Sequence, residues 1–199
     1  MKLKWLFLFV LIGMPVCIYL FLQSFGENHF VIPIFYEKGL ESPLVGCQKV
    51  DSNKQFYARK YFEIDADKPD FESNRVVVYD LGGIQSNGSE VRNNMLTFLN
   101  KFQGYEEIQF VSLSTSNASI GTLSTFENAK FYQSNAKDIL SFSRCDMQID
   151  LRFDAIQSKF TGSKLVLCDD ERRIRGVYDP LELKEIDRLN TELHILLSN

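Results

Sequence analysis

The N-terminal segment of the chain is an unbroken run of uncharged, mostly apolar residues. It extends over residues 5–22 and follows Lys2 and Lys4. As a helix this run is about 27 Å long at about 1.5 Å per residue, which nearly matches a bilayer core. Lysines precede the run, and Glu27 is the first charge after it. The pattern therefore predicts a transmembrane anchor over 1–22, with the N-terminus in the cytoplasm.

Two other interpretations of this segment compete with the anchor. Ser24-Phe25-Gly26 has the small-residue spacing of a signal-peptide cleavage site, but the apolar run is longer than a typical signal core. A lipoprotein attached through Cys17 is disfavoured, because Val16 stands where a small residue is needed. We therefore expect the anchor to stay attached.

The pattern over residues 76–113 predicts a β-α-β unit. A continuous apolar run at 76–79 is typical of a strand buried on both faces, and residues 80–89 contain three glycines and predict a loop. Residues 90–103 predict an amphipathic helix, and residues 108–113 predict the next strand. The apolar positions at helical spacing are Val91, Met95, Phe98, Leu99 and Phe102. Such a unit implies parallel strands with a right-handed crossover.

The C-terminal third predicts a hairpin followed by a helix. Residues 165–168 and 174–178 are two strands joined by a charged turn. The helix is predicted to begin with Asp179 as N-cap, Pro180 at the first position and Glu182 closing a capping box. Its buried stripe is Ile186, Leu189, Leu193, Leu196 and Leu197. The order β-α-β and then β-β-α predicts an α/β, thioredoxin-like fold, in which helices flank a central mixed sheet.

The chain is predicted to have three parts. Residues 1–22 form the anchor, residues 23–50 a membrane-proximal stalk, and residues 51–199 the thioredoxin-like domain. Within the stalk, the apolar residues 30–36 have three possible positions: on the lipid surface, against their own domain, or against a partner protein. Residues 51–74 are polar with two aromatic clusters and predict one or two edge strands.

Charge and cysteine content exclude several classes of protein. The formal net charge is −4, and no basic stripe is present, which argues against nucleic acid as a partner. Outside the anchor there are three cysteines, Cys47, Cys145 and Cys168. They form neither a disulfide framework nor a zinc-type pattern. At most one pair can form a disulfide, and the spacing leaves all three pairings open.

Residues 164–197 resemble the C-terminal end of the SCO/SenC family, which are membrane-anchored, thioredoxin-fold copper proteins linked to cytochrome c oxidase assembly. The resemblance is carried by Leu167-Cys168-Asp169, by Arg173-Ile174-Arg175-Gly176-Val177-Tyr178-Asp179 and by Leu196-Leu197. Residues 76–102 are similar to the family's first strand, active loop and first helix, and 129–144 match its next strand and helix more loosely. In all, the resemblance covers residues 72–199.

The family's copper site consists of a Cys-x-x-x-Cys in the loop after the first strand and a distal histidine before the hairpin. On this resemblance, the two cysteine positions are occupied by Ile84 and Gly88, and the histidine position by Thr161. None of these residues can replace a thiolate or an imidazole as a copper ligand. His29 and His194 lie elsewhere in the chain. The resemblance therefore implies a pseudo-active site that holds no metal and no cofactor.

The same loop does not fit other chemistry either. Gly83 and Gly88 have the glycine spacing of a phosphate loop, but Ser89-Glu90 stands where lysine and a hydroxyl residue are required. Ser86 lies outside the nucleophile-elbow pattern. Asp169-Asp170-Glu171 is interpreted as a solvated turn whose charge is offset by Arg172, Arg173 and Arg175. We therefore expect no catalytic residues and no enzyme activity.

Three functions follow from these observations. The first is a non-catalytic binding or accessory factor in respiratory oxidase assembly, anchored in a bacterial inner membrane with its domain in the periplasm. The second is a structural subunit of another envelope complex that reuses the fold. The third is an active copper chaperone or thiol oxidoreductase that uses Cys145 or Cys168, which is disfavoured because a fold does not carry its function without the site.

Overall fold

A computed structural model describes residues 2–25, 31–40, 44, 46–47, 54–59, 75–116 and 121–198. The chain divides into two compact units, Met1–Val31 and Ile32–Asn199. Each unit is described separately below.

The first unit consists of helix α1, Lys2–Phe25, which contains Pro15. The apolar N-terminal segment is thus helical. Over the residues whose side chains the structure describes, no helix is long and apolar enough to cross a membrane.

The second unit is built on a five-stranded mixed sheet. Its strands lie in the order β3-β2-β1-β6-β7. They are β1 Val76–Leu81, β2 Ile108–Ser114, β3 Ala129–Gln133, β6 Leu165–Cys168 and β7 Ile174–Tyr178. β1 pairs in parallel with β2 and β2 with β3, whereas β6 is antiparallel to both β1 and β7. β1 is central and all of its residues are buried, so the predicted central strand is confirmed.

Successive side chains of β1 point to opposite faces of the sheet, and all of them are buried. Helices cover both faces accordingly. On one face, Val78 packs in a core with residues of α2 (Gly83–Lys101) and α4 (Leu183–Ser198). On the other face, Tyr79 packs in a second core with residues of α3 (Ala136–Cys145). This arrangement is an α/β, thioredoxin-like fold, as the order of elements predicts.

The predicted buried stripe of α4 is confirmed, but the predicted helix start is wrong. Ile186, Leu189 and Leu193 are buried, and Leu196 and Leu197 pack partly buried against the same core. Instead of a capping box, residues 179–182 form a turn before the helix begins at Leu183. Asp179 Oδ1 accepts from Leu181 N at 3.0 Å, and its Oδ2 binds Lys164 Nζ at 2.7 Å. The carboxylate is thereby held away from the helix start.

The described parts of the segment before the sheet pack along the β7 edge. Ile32, Leu40, Phe56 and Ala58 are buried. Phe35 N donates to Ile174 O at 2.8 Å, and Ala58 N donates to Arg172 O at 3.0 Å. Of the three positions considered for the apolar residues 30–36, the structure gives packing on their own domain for Ile32 and a backbone bond to β7 for Phe35, whereas the side chains of Val31, Phe35 and Tyr36 are exposed. Phe30 lies outside the described residues, as do most of the predicted edge strands over 51–74, and residues 54–59 form no strand.

A small hairpin stands apart from the main sheet. It consists of β4, Arg152–Asp154, and β5, Lys159–Thr161, which pair antiparallel. At its tip, Asp154 Oδ1 accepts from the backbone N–H groups of Ile156 and Gln157. This hairpin contacts the first turn of α2, where the resemblance places the family's active loop.

Candidate pseudo-active site

Helix α2 begins directly after the central strand. The predicted loop over 80–89 is wrong: the helix starts at Gly83 and is kinked at Gly88, which has φ 56° and ψ −119°. Gly82 precedes it with φ 74°, a left-handed conformation that glycine adopts readily. A side chain at Gly82 would also collide with the Phe160 ring, since a Cβ there would lie 2.4 Å from Phe160 Cδ2.

Asp80 explains why this segment is helical rather than a loop. Its carboxylate accepts hydrogen bonds from Gly83 N at 2.8 Å, Ile84 N at 3.3 Å and Ser112 Oγ at 2.7 Å. The first two bonds satisfy backbone donors that a helix start leaves without partners. Complete burial raises the pKa of Asp80 to about 6, although its three hydrogen bonds act in the opposite direction. The sequence signal for this residue was a single acid inside an apolar run, two residues before Gly82 and three before Gly83.

Ser86 joins the first turn of α2 to the hairpin. Its hydroxyl donates to Gly82 O at 2.7 Å and accepts from Phe160 N at 2.7 Å. Ser86 is 9% exposed and Phe160 is 3% exposed. The hydroxyl therefore serves as a structural link between α2 and the hairpin.

Gln85 and Asn87 extend this link on both sides. Gln85 Nε2 donates to Thr115 Oγ1 at 2.7 Å and to Ser158 O at 2.8 Å, and its Oε1 accepts from Thr115 N at 2.7 Å. Asn87 Nδ2 donates to Ser163 Oγ at 3.3 Å. We call the side chains of Gln85, Ser86 and Asn87 the α2–β5 latch. The latch is formed entirely by neutral hydrogen-bonding groups.

The three positions of the family's copper ligands lie on the two elements that the latch joins. Ile84 is buried in the core between the sheet and α2. Gly88 is the kink of α2, and a Cβ there would meet no atom within 4 Å. Thr161 is the exposed last residue of β5. An aliphatic side chain, a glycine and an exposed hydroxyl do not fit copper, which favours soft sulfur and imidazole ligands.

Among the residues that the structure describes, no group of three or more histidine, cysteine, aspartate or glutamate side chains could hold a metal ion. His29 lies outside those residues. His194 is an exposed residue of α4 whose ring lies 5.0 Å from the Phe102 ring, so it packs against the domain surface as a helix side chain.

The cysteines of the second unit are not placed at the latch. Cys47 and Cys145 form a disulfide with 5.3 Å between their Cα atoms, which selects one of the three pairings left open by the sequence. Cys168 is a free, buried thiol. Burial, followed by the nearby charge of Asp169, raises the pKa of Cys168 strongly. Since the thiolate is the reactive form, this cysteine is poorly suited to redox chemistry.

The acidic turn after β6 has a structural role that the sequence interpretation missed. Asp169 is only 4% exposed and accepts from Arg173 Nε at 2.7 Å and Arg175 Nη1 at 3.0 Å. Arg175 Nη2 also donates to Ile32 O at 2.7 Å. The prediction of a solvated turn is therefore wrong for Asp169, because this ion pair fastens the incoming segment to the sheet. Asp170 and Glu171 are exposed, as predicted.

No protein-family model matches this chain, and no curated protein matches it. Several solved structures are similar to it at low identity. A SCO1/SenC family lipoprotein from Bacillus anthracis str. Ames shares 17% identity, with a TM-score of 0.49 over 63% of this chain and 83% of that chain. BsSco, a member of the Sco family of cytochrome c oxidase assembly proteins, shares 13% identity, with a TM-score of 0.48 over 62% of this chain and 81% of its own.

Copper-bound ScoI from Bradyrhizobium japonicum is a further similar structure. It shares 10% identity, with a TM-score of 0.44 over 62% of this chain and 86% of that chain. The thioredoxin-like fold of this chain is established by its own sheet order and strand directions.

Proposed function

We propose that this protein is a SCO-like binding or accessory factor for respiratory oxidase assembly that works without copper or thiol chemistry. The observation that carries the proposal is the α2–β5 latch. Neutral side chains occupy the turn where the SCO/SenC family, which this chain resembles, has its copper ligands. Their hydrogen bonds hold the hairpin in place. Such a surface can present a fixed shape to a partner protein, but it offers no soft metal ligand.

Copper competition tests the chemical half of this proposal. The purified chain should not withdraw Cu(I) from a chromogenic chelator in a one-to-one ratio, because Ile84, Gly88 and Thr161 supply no suitable donor. The control is the variant with Cys47, Cys145 and Cys168 changed to serine. Stoichiometric uptake that disappears in this variant would show that copper chemistry survives at a relocated site.

A gene deletion tests the oxidase half. Membranes of the deletion strain should lose cytochrome c oxidase activity, and the wild-type chain should restore it. Unchanged oxidase activity, together with a defect in another envelope complex, would favour the alternative of a structural subunit elsewhere.

Ile156 gives this experiment a residue-level test of docking. It is 97% exposed at the tip of the hairpin that the latch holds, so Ile156→Asp removes an apolar contact without disturbing the core. We expect this variant to restore less oxidase activity than Gln157→Asp, a matched change at the neighbouring position. Equal rescue by both variants would exclude the hairpin tip as the docking surface.

Attachment to a bacterial inner membrane, with the domain in the periplasm, is also part of the proposal. It is supported by the uncharged residues 5–22 and by the Cys47–Cys145 disulfide, since disulfides persist mainly in oxidising compartments. N-terminal sequencing of the chain from purified membranes should find residues 1–22 present. A mature chain that starts at Glu27 would contradict the anchor.

A further inference from the structure

Two short segments that pack beside β7 carry exposed aromatic side chains. Phe35 is 37% exposed and Tyr36 is 36% exposed, and Tyr57, which follows the buried Phe56 in the chain, is 45% exposed. We call the side chains of Phe35, Tyr36 and Tyr57 the edge patch. Single apolar residues on a surface need no explanation, whereas a cluster of them marks a site of contact with a protein or a membrane.

Backbone hydrogen bonds hold the edge patch together and fix it to the sheet. Tyr36 O accepts from Gly39 N at 3.0 Å, which closes a turn, and from Phe56 N at 3.3 Å, which joins the two segments. Phe35 N donates to the carbonyl oxygen of Ile174, the first residue of β7, at 2.8 Å. The Tyr36 ring lies 6.3 Å from the Phe35 ring and 5.9 Å from the Phe56 ring. The edge patch is therefore a preformed part of the domain.

The chain connects this edge of the domain directly to the proposed membrane anchor. Helix α1 ends at Phe25, and Ile32 is already fastened to the domain, because its carbonyl oxygen accepts from Arg175 Nη2 at 2.7 Å. Ile32 is the seventh residue after Phe25, and at about 3.6 Å per residue this link reaches at most about 25 Å. A domain held by this anchor therefore keeps the edge patch close to the bilayer surface.

The residues of the edge patch suit the interface between lipid and water. Tyrosine is enriched there, because its ring is apolar and its hydroxyl group stays in water. Lys38 and Lys54 are exposed residues of the same two segments, and ammonium groups are attracted to anionic lipid headgroups. Glu37 is the one acid among the described residues of these segments, 31–40 and 54–59.

The register of the sheet places the edge patch and the latch at opposite ends of the strands. Ile174, to which Phe35 is bonded, pairs with Cys168, and Cys168 pairs with Val77, the second residue of β1. The latch lies in the first turn of α2, which follows the other end of β1. A contact between the edge patch and a surface therefore turns the latch away from that surface.

We propose that the edge patch is a membrane contact, in which Phe35, Tyr36 and Tyr57 lie among the headgroups of the bilayer that holds the anchor. This inference rests on the proposed membrane attachment but not on the proposed role in oxidase assembly. Three rings bind a free bilayer weakly, but the tether raises their effective concentration at the membrane surface. The contact orients the domain so that the latch and the hairpin face away from the lipid.

Fluorescence quenching in vesicles of phosphatidylcholine and phosphatidylglycerol tests the proposal on the full-length protein. Trp5 is the only tryptophan of the chain, so Trp5→Phe gives a background in which one reporter is added at a time. Tyr57→Trp should lose emission when the lipids carry bromine at the top of their acyl chains, because bromine quenches only the rings that it approaches. Ile156→Trp is the control at the opposite end of the sheet, where residue 156 is 97% exposed, and it should keep its emission.

Phe35→Ser in the Tyr57→Trp protein separates an aromatic contact from simple closeness to the membrane. The substitution removes one ring of the edge patch and keeps the backbone bond of residue 35 to Ile174, so the quenching should weaken. Quenching that stays unchanged would mean that the tether alone brings this edge to the lipid, and it would overturn the proposal.

Flotation of the vesicles in a density gradient separates failure of the contact from failure of the anchor. Protein that floats, but in which Tyr57→Trp is quenched no more than Ile156→Trp, would overturn the membrane contact and leave the anchor standing. Protein that does not float would contradict the anchor and this inference together. A Tyr57→Trp reporter that bromine does not quench and aqueous iodide cannot reach would show that a protein surface covers the edge patch instead.

Discussion

Asp80 brings a carboxyl group into the completely buried end of the central strand. Its pKa is raised from 3.8 to about 6, so the folded state binds this proton more tightly than the unfolded state does. The stability that follows is fully present below about pH 4 and is lost as the pH rises through about 6. For a shift of about two pKa units, the loss is on the order of 3 kcal/mol.

We therefore predict that the wild-type chain loses stability relative to Asp80→Asn between pH 4 and pH 7. The asparagine retains an oxygen acceptor for Gly83 N but does not titrate in this range. Urea unfolding at a series of pH values measures the difference in unfolding free energy between the two proteins. A difference that stays constant, or that moves in favour of the wild type as the pH rises, would contradict the raised pKa.

The Ser86 hydroxyl accepts a hydrogen bond from the buried backbone N–H of Phe160. Ser86→Ala leaves the buried Phe160 N–H without its acceptor, so we expect a loss of about 1–3 kcal/mol in unfolding free energy. Amide exchange at Phe160 should also become faster. Ser124→Ala is the control, because its hydroxyl bonds only to Gly121 O at an exposed site and should cost less than about 0.5 kcal/mol. Equal costs for both variants would show that the Ser86 hydroxyl contributes no more to stability than an exposed hydroxyl does.

At the scale of elements, α4 tests whether its apolar stripe holds the helix on the sheet. Leu189 is completely buried, whereas Leu183 is 66% exposed in the same helix. Leu189→Ala should cost about 2–5 kcal/mol, since it removes core contacts and leaves a cavity. Leu183→Ala should change stability by less than about 0.5 kcal/mol. Chemical denaturation of the two variants compares them directly, and similar costs would contradict the packing of this helix.

At the scale of the whole molecule, the Cys47–Cys145 disulfide fastens the segment before the sheet to the end of α3. The two cysteines are 98 residues apart. In the chain-entropy model, a disulfide that closes a loop of this size lowers the entropy of the unfolded chain and thereby raises the free energy of unfolding by about 4–5 kcal/mol. We predict that the reductant dithiothreitol lowers the melting temperature of the wild-type protein. The Cys47→Ser/Cys145→Ser variant should melt at the lower temperature with or without reductant. A wild-type protein insensitive to reductant, with the disulfide shown to be broken, would contradict this role.

The sequence by itself determined the elements whose signals are local. The strand β1 and the hairpin of β6 and β7 follow from short apolar runs, and the stripe of α4 follows from apolar residues spaced three to four apart. Their order was enough to give the thioredoxin-like fold. Asp80 lies between a local and a tertiary signal. Its carboxylate accepts hydrogen bonds from backbone N–H groups of α2 that are only three and four residues away. That cap was readable in the sequence, but the glycines around it favoured a loop.

Only the tertiary structure decided which distant residues meet. The disulfide partner of Cys145, the contact of Arg175 with Ile32 across 143 residues and the link between Ser86 and Phe160 across 74 residues have no local signal. Periodicity specifies which face of an element is apolar, whereas the pairing of individual polar groups depends on how the packed elements bring them together.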